Sequence, residues 1–244
     1  MKAGLFGTNK REGEGEHWLS VGDLMAGLMM IFMFIAVEYM LMVVVERDNI
    51  KEVVVAWENT QESLYEDLYA EFKDDLDDWN AEIKEETLTV RFKEPDVLFD
   101  QGKKELQNRF KIILDDFFPR YINVLDKYSN HNSDVNNTIR GRIEEVRIEG
   151  HTSSEWNKAV DKEAAYYKNM KLSQGRTRSV LRYCMSKIDN REYKWISSVI
   201  AAVGFSSSRP VLNAKGEEDK KRSRRVDFRV KTTVEKELMK VIDQ

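Results

Sequence analysis

A carboxylate stands at the head of the only long apolar run in this chain. Asp23 is followed by residues 24–37, and after the single charge of Glu38 the run resumes over 39–45. An ionised side chain is expensive at bilayer depth, and those that persist there usually serve proton or ion movement. The run is too long for a typical signal-peptide core, and no small-x-small cleavage site follows Val45. Trp18 to Tyr39 spans roughly 31 Å of helix, matching a hydrocarbon core of about 30 Å. Trp18 and Tyr39 then read as interfacial aromatics, with Glu38 at the far headgroup level. Asp23 lies about 7–8 Å inside Trp18. As an isolated residue it reads equally well as a helix N-cap at the interface.

The remainder is strongly polar. Of 244 residues, 34% are charged, which excludes a multi-span membrane protein. The net charge of −4 gives no reason to expect direct nucleic-acid binding, and the run 220–225 is offset by Glu217, Glu218 and Asp219. Cys184 is the single cysteine, so no internal disulfide forms, and three His without Cys partners suggest no metal cluster. No nucleophile–base set or phosphate loop points to an enzyme, and no cofactor is expected beyond a transported ion.

The pattern divides the chain into a tail (1–17), a transmembrane helix (18–45), a helical linker (46–86) and an α/β domain (87–244). In the linker, Val54, Trp57, Leu64, Leu68, Phe72, Leu76, Trp79 and Ile83 recur at helical spacing beside many acids and without Gly or Pro. That reads as one long helix, either packed on its own domain or paired with a second copy of itself through a narrow seam. In the domain, 88–92, 146–148, 197–203 and 226–230 read as strands, about four in a mixed sheet. Helices are expected over 103–128, where Pro119 would kink or interrupt, and over 163–188. Residues 130–137 and 214–221 read as polar loops, and 233–243 as a short terminal helix. Strands alternating with helices suggest βαβ units.

Two stretches carry a family resemblance. The segment Trp18-Leu-Ser-Val-Gly-Asp23-Leu-Met-Ala-Gly-Leu-Met-Met resembles the B subunit of bacterial rotary stators, the MotB class. Val97-Leu-Phe-Asp-Gln-Gly102, Ile148-Glu-Gly-His-Thr152, Asn169-Met-Lys-Leu-Ser-Gln-Gly-Arg176 and Ser223-Arg-Arg-Val226 resemble, in order, the OmpA-like peptidoglycan-binding domain. Within that class the membrane segment is most similar to the B subunit of the Zorya anti-phage defence system. The resemblance implies a single-pass inner-membrane protein with a cytoplasmic N-terminus and a periplasmic OmpA-like domain. It implies a homodimer inside a pentamer of a MotA-like A subunit (the Zorya A type), with Asp23 carrying H+ or Na+ to drive rotation while the domain holds peptidoglycan.

The same resemblance assigns residues. Ser20 could offer an oxygen to the ion beside Asp23, although plain helix packing explains Ser20 and Gly22 as well. Met25, Met29, Met30 and Met33 would pack against the A ring or the second B helix. In the domain, Thr152, Ser153, Asn169, Leu172 and Arg176 match the peptidoglycan cleft, with Arg176 pairing a stem-peptide carboxylate. Family members place an Asp at the position of Ser153 to hold the stem-peptide amine. Here Glu155, in a stretch lengthened over 156–168, is the substitute candidate. His151 shapes the cleft, and Arg224 and Arg225 tie the last strand to nearby loops. A flagellar stator subunit and a static membrane-to-wall tether are the competing readings.

Overall fold

The computed structural model describes residues 12–93, 98–129, 143–156 and 161–233. Residues 130–137 and nearly all of 233–243, read above as a loop and a terminal helix, lie outside the described residues. The chain forms two compact units, Met1–Glu52 and Val53–Gln244.

The first unit is helical, the start of α1 (Glu12–Phe72). Its stretch Val21–Asp48, 28 residues, is long and apolar enough to cross a membrane, and none of it is buried. Leu24 is 73% exposed and Met29 71%. Apolar surface left in water costs roughly 25 cal/mol per Å². The apolar surface of this helix therefore calls for apolar surroundings, except where the charged Asp23 and Glu38 stand.

In the second unit the end of α1 is part of the core. Leu64, Leu68 and Phe72, spaced one turn apart, are fully buried. They face α2 (Asn108–Asp126), whose Phe117 ring lies 5.2 Å from Phe72. Arg120 of α2 fixes the helix end: its guanidinium donates to Glu71 Oε1 (2.7 Å), the Glu71 carbonyl (2.6 Å) and Asp75 Oδ2 (2.9 Å), over the Phe72 ring. This half of the amphipathic seam thus packs on its own domain, and Asp67, Glu71 and Asp75 find cations there.

The helix stops at Phe72 rather than running to residue 86. Residues 73–80 turn, and Asn80 takes φ 48°, a left-handed conformation that Asn tolerates. Ala81 and Ile83 then alternate with Glu82 and Lys84 in β1 (Ala81–Lys84), which pairs antiparallel with β2 (Thr89–Phe92). Helical periodicity over 76–83 concealed this hairpin, because Leu76, Trp79 and Ile83 suit either element until the turn is known. The remaining strands are β3 (Ile143–His151), β4 (Ile200–Gly204) and β5 (Arg225–Thr232). The order β1-β2-β5-β3-β4 gives a mixed sheet of five strands, in which only β3 and β4 are parallel. They are linked through α3 (Lys162–Met185) and α4 (Asn190–Val199), a βαβ unit as expected. Residues 197–199, read as strand, belong to α4, whose Ile196 is buried against the core. Pro119 sits inside an unbroken α2, which begins at Asn108 rather than 103. The loop 214–221 closes with the single turn α5 (Lys220–Ser223), capped by Asp219.

The core is aromatic. Phe117 lies 5.0–5.2 Å from Phe72, Phe92, Tyr121 and Phe228, joining α1, α2, β2 and β5. Elsewhere in the domain α3 sits close to the sheet. A Cβ at Gly150 would meet Thr177 Cγ2 at 2.6 Å and the Ser173 carbonyl oxygen at 2.9 Å, and one at Gly204 would meet the Gln174 backbone nitrogen at 2.5 Å. Gly150 and Gly204 are partners across β3 and β4. Gly150→Ala is expected to force α3 outward and lower stability by about 1–3 kcal/mol, read as a shift in the denaturant midpoint followed by tryptophan fluorescence. An unchanged midpoint would show that the helix adjusts freely.

Candidate functional site

The seat of α3 fixes where its motif residues point. Asn169, Ser173 and Arg176 are all buried. Asn169 Nδ2 donates to the carbonyls of Ser153 (3.1 Å) and Glu155 (3.4 Å). Arg176 donates from Nε to the Lys103 carbonyl (2.9 Å) and from Nη2 to the Asp100 carbonyl (3.2 Å), and its guanidinium lies 4.7 Å from the Phe99 ring centre. Ser173 Oγ accepts from Ser206 N, and Ser206 in turn bonds Thr152 N through its carbonyl and the Tyr166 carbonyl through its hydroxyl. Ser206 adopts φ 53°, held by these three bonds. Three loops are thus fastened to one helix.

Between two of those loops lies a cleft of about 390 Å³, lined by Gly102, Lys103, Lys104, Glu105, Trp156, Lys168, Lys171 and Leu172. Of the six expected wall-binding residues, only Leu172 lines it. Asn169 and Arg176 stand behind, each gripping the backbone of one wall. Thr152 and Ser153 are buried beneath, at 4% exposure each. Glu155 is exposed and paired with Lys220 at 3.4 Å, so its charge is already matched. Motif reasoning misses the lysines because they flank the family pattern rather than belong to it. Lys168, Lys171 and Leu172 share a face of α3 by their i, i+3, i+4 spacing, a signal the sequence does hold.

The opposite face of the sheet carries a buried charge network. Alternation along the strands turns Arg91, Glu149, His151, Arg225 and Asp227 away from the apolar core. Arg91 binds Asp227 bidentately at 2.9 and 2.8 Å, and Arg225 Nε adds a third bond at 3.1 Å. Arg225 also donates to the carbonyls of Arg209 and Ser223, tying β5 to the neighbouring loop as expected. The ring of His151 stacks on Phe205 at 5.2 Å, and Arg209 covers Phe205 from outside at 3.8 Å.

Glu149, His151 and Asp227 bring ligand atoms within 4.8 Å of one another, a spacing suited to a cation and not foreseen from the order of residues. The charges oppose it. Arg91 and Arg225 neutralise Asp227, and Arg209 approaches Glu149 at 3.7 Å. Burial pushes the Asp227 carboxyl up, but the Arg91 and Arg225 guanidiniums hold it below the ordinary range. Burial likewise raises Glu149, and His151 with the nearby arginines outweighs it. For His151 burial wins, lowering the imidazole against the pull of Glu149.

In the first unit Asp23 is helical and exposed, three residues into the apolar span. Gly27, one turn on, has open space where a Cβ would stand. Ser20 lies in the same helix, and its side chain falls outside the described residues. Glu38 is exposed within the span.

No family model matches the chain. The structure of a MotB-like protein from Desulfovibrio vulgaris superposes with a TM-score of 0.50 at 22% identity, over 75% of this chain and 94% of that one. The chain thus joins a helix long and apolar enough to cross a membrane to a mixed-sheet domain with the fold of that MotB-like protein. The Zorya protein ZorB of Escherichia coli (strain Crooks) is 51% identical over 236 residues, 96% of each chain. The chain therefore belongs to the ZorB family.

The charge network sets an expected pH response. The folded His151 binds its proton less readily than the ordinary value near 6.5. The unfolded chain then holds more protons below that value, so stability falls as pH drops through it. Asp227 and Glu149, held low, add stability that is present at neutral pH and lost only at more acidic pH. The denaturant midpoint should be lower at pH 5.5 than at 7.5, and His151→Phe, which keeps a ring against Phe205, should flatten the difference. Equal slopes in both proteins would remove His151 as the cause.

Proposed function

We propose that this chain is the B subunit of an ion-driven stator acting in anti-phage defence. The helix spans the inner membrane with its N-terminus in the cytoplasm, and the α/β domain lies in the periplasm and holds peptidoglycan. Two copies sit within a pentamer of a MotA-like A subunit. Asp23 takes up and releases H+ or Na+, and that cycle drives rotation of the A ring. The observation that carries the reading is Asp23 on a helix apolar and exposed over its whole span. A carboxylate's pKa rises when desolvated and falls beside water or a cation. A site moved between those surroundings loads and unloads an ion. The 51% identity to a Zorya ZorB supports the defence setting over a flagellar one.

Asp23→Asn keeps the size and hydrogen-bonding reach of the side chain but removes its charge. It is expected to abolish protection against phage while leaving membrane insertion and co-purification with the A subunit intact. Wild-type protection by that variant would eliminate the carrier role and leave the static tether. The wall-binding half is tested separately by retention of the protein on purified peptidoglycan. Arg176→Ala frees the 100–103 wall of the cleft and should cut retention severalfold. Arg176→Lys, which cannot bridge two carbonyls in the same plane, should recover little of it. Full retention by both variants would detach Arg176 from wall binding.

A further inference from the structure

Glu38 is the second acid of the apolar span, and the carrier role proposed for Asp23 gives it no part. It stands between residues 24–37 and residues 39–45, which carry no charge. The side chains from Tyr39 to Val45 are all exposed. Charge gathers again only at Glu46, Arg47 and Asp48, and Asp48 pairs with Arg47 at 3.6 Å and with Lys51 at 3.8 Å. That cluster marks the end of the span away from Asp23. Glu38 lies eight residues short of Glu46, about 12 Å along the axis. A carboxylate on two methylenes does not reach so far. Seating Glu38 among the headgroups would therefore lift the apolar side chains 39–45 out of the hydrocarbon, against the preference of such surface for apolar surroundings. One turn to either side of Glu38 stand Phe34, Ile35, Leu41 and Met42, so its own helix offers no cation there.

The two acids share a side of the helix. α1 is unbroken from Glu12 to Phe72. Fifteen residues at about 100° each make four turns and about 60°, and they carry Glu38 roughly 22 Å beyond Asp23. Gly27, Met30 and Phe34 lie between them, each within about 40° of the direction of Asp23. Ionised groups inside a membrane face a bundle interior or a water-filled cavity. One such face serves both acids here. We propose that Glu38 is the entry site for the transported cation, collecting H+ or Na+ from the periplasmic side and passing it along this face to Asp23. The inference rests on the carrier role of Asp23. The ion leaves Glu38 as a free carboxylate, ready for the next, and neutralises Asp23 on arrival. The residues between are apolar, so water or the facing A subunit lines the path. A charged entry site concentrates its ion locally. It sets how dilute the driving ion can become before the cycle slows, whereas Asp23 sets whether there is a cycle at all.

The test scores phage protection in cells carrying the full chain with its A subunit, while external pH and external sodium are stepped separately. Glu38→Gln should need at least tenfold more of the driving ion for half-maximal protection, with full protection regained at saturation. Glu38→Asp, which keeps the carboxylate, should stay within threefold of wild type. The ion whose titration moves identifies the cargo. An unshifted half-point in Glu38→Gln would overturn the inference and return Glu38 to the headgroups. Loss of protection at every concentration in both variants would overturn it too, because the size of the side chain and not its charge would then matter. The same loss confined to Glu38→Gln, with the A subunit still co-purifying, would support it and make the entry site obligatory. Full protection by Asp23→Asn would instead remove the carrier role on which the inference rests.

Discussion

The close seat of α3 on the parallel pair β3–β4 is the contact on which the rest of the domain depends. It requires the absence of a side chain at two paired positions, Gly150 and Gly204, because Ser173, Gln174 and Thr177 occupy that space. With the helix at that height, Asn169 reaches the 153–155 loop, Ser173 reaches the loop after β4, and Arg176 reaches the 100–103 loop. Those loops have little regular structure of their own beyond the Phe99–Leu106 bridge. Each also receives a hydrogen bond from this one rigid element, which is how a site gains geometry from a scaffold. A helix displaced by the size of one methyl group would loosen all three together.

The charged residues divide by the same logic of position. Arg120 binds the end of α1 at a partly exposed site, where each ion pair contributes little alone and the shared, ring-covered geometry contributes more. Asp227 is different. Its carboxylate is nearly buried and receives three bonds from two arginines. Taking such groups out of water is costly, so the network is not a simple source of stability. Its effect is to fix register: Arg91, Asp227 and Arg225 join β2 to β5 at the centre of the sheet, and a one-residue slip would leave charges buried without partners. His151, pressed between that network and Phe205, belongs to this frame rather than to the cleft.

Much of this was legible from residues alone. The apolar span, the four main strands and both long helices of the domain follow from period and length. Three features were not. The β1–β2 hairpin hid inside a helical period because Ala81 and Ile83 fit both patterns, and the turn over 73–80, closed by the left-handed Asn80, leaves no mark in that period. The seam of α1 carried no mark of its partner, since Leu64, Leu68 and Phe72 suit a second copy as well as they suit Phe117. The motif residues Asn169 and Arg176 hold the backbone of the 153–155 and 100–103 loops, a part that their place in the motif does not reveal. Sequence motifs register which residues a site needs, not whether they touch the ligand or hold the groups that do.

The two units impose opposite demands on their carboxylates, and the contrast bears on the role of the chain. In the domain, among the described residues, each deeply buried acid has an arginine near it, and charge is locked in place. In the apolar span, again among the described residues, Asp23 has no cation of its own chain within reach, and Gly27 leaves its side of the helix open. A carboxylate with such a face cannot be directed at lipid without heavy cost, so that face must meet protein or water. A tether needs only a helix that lipid accepts on all sides, and for it Asp23 would be a defect with no compensation.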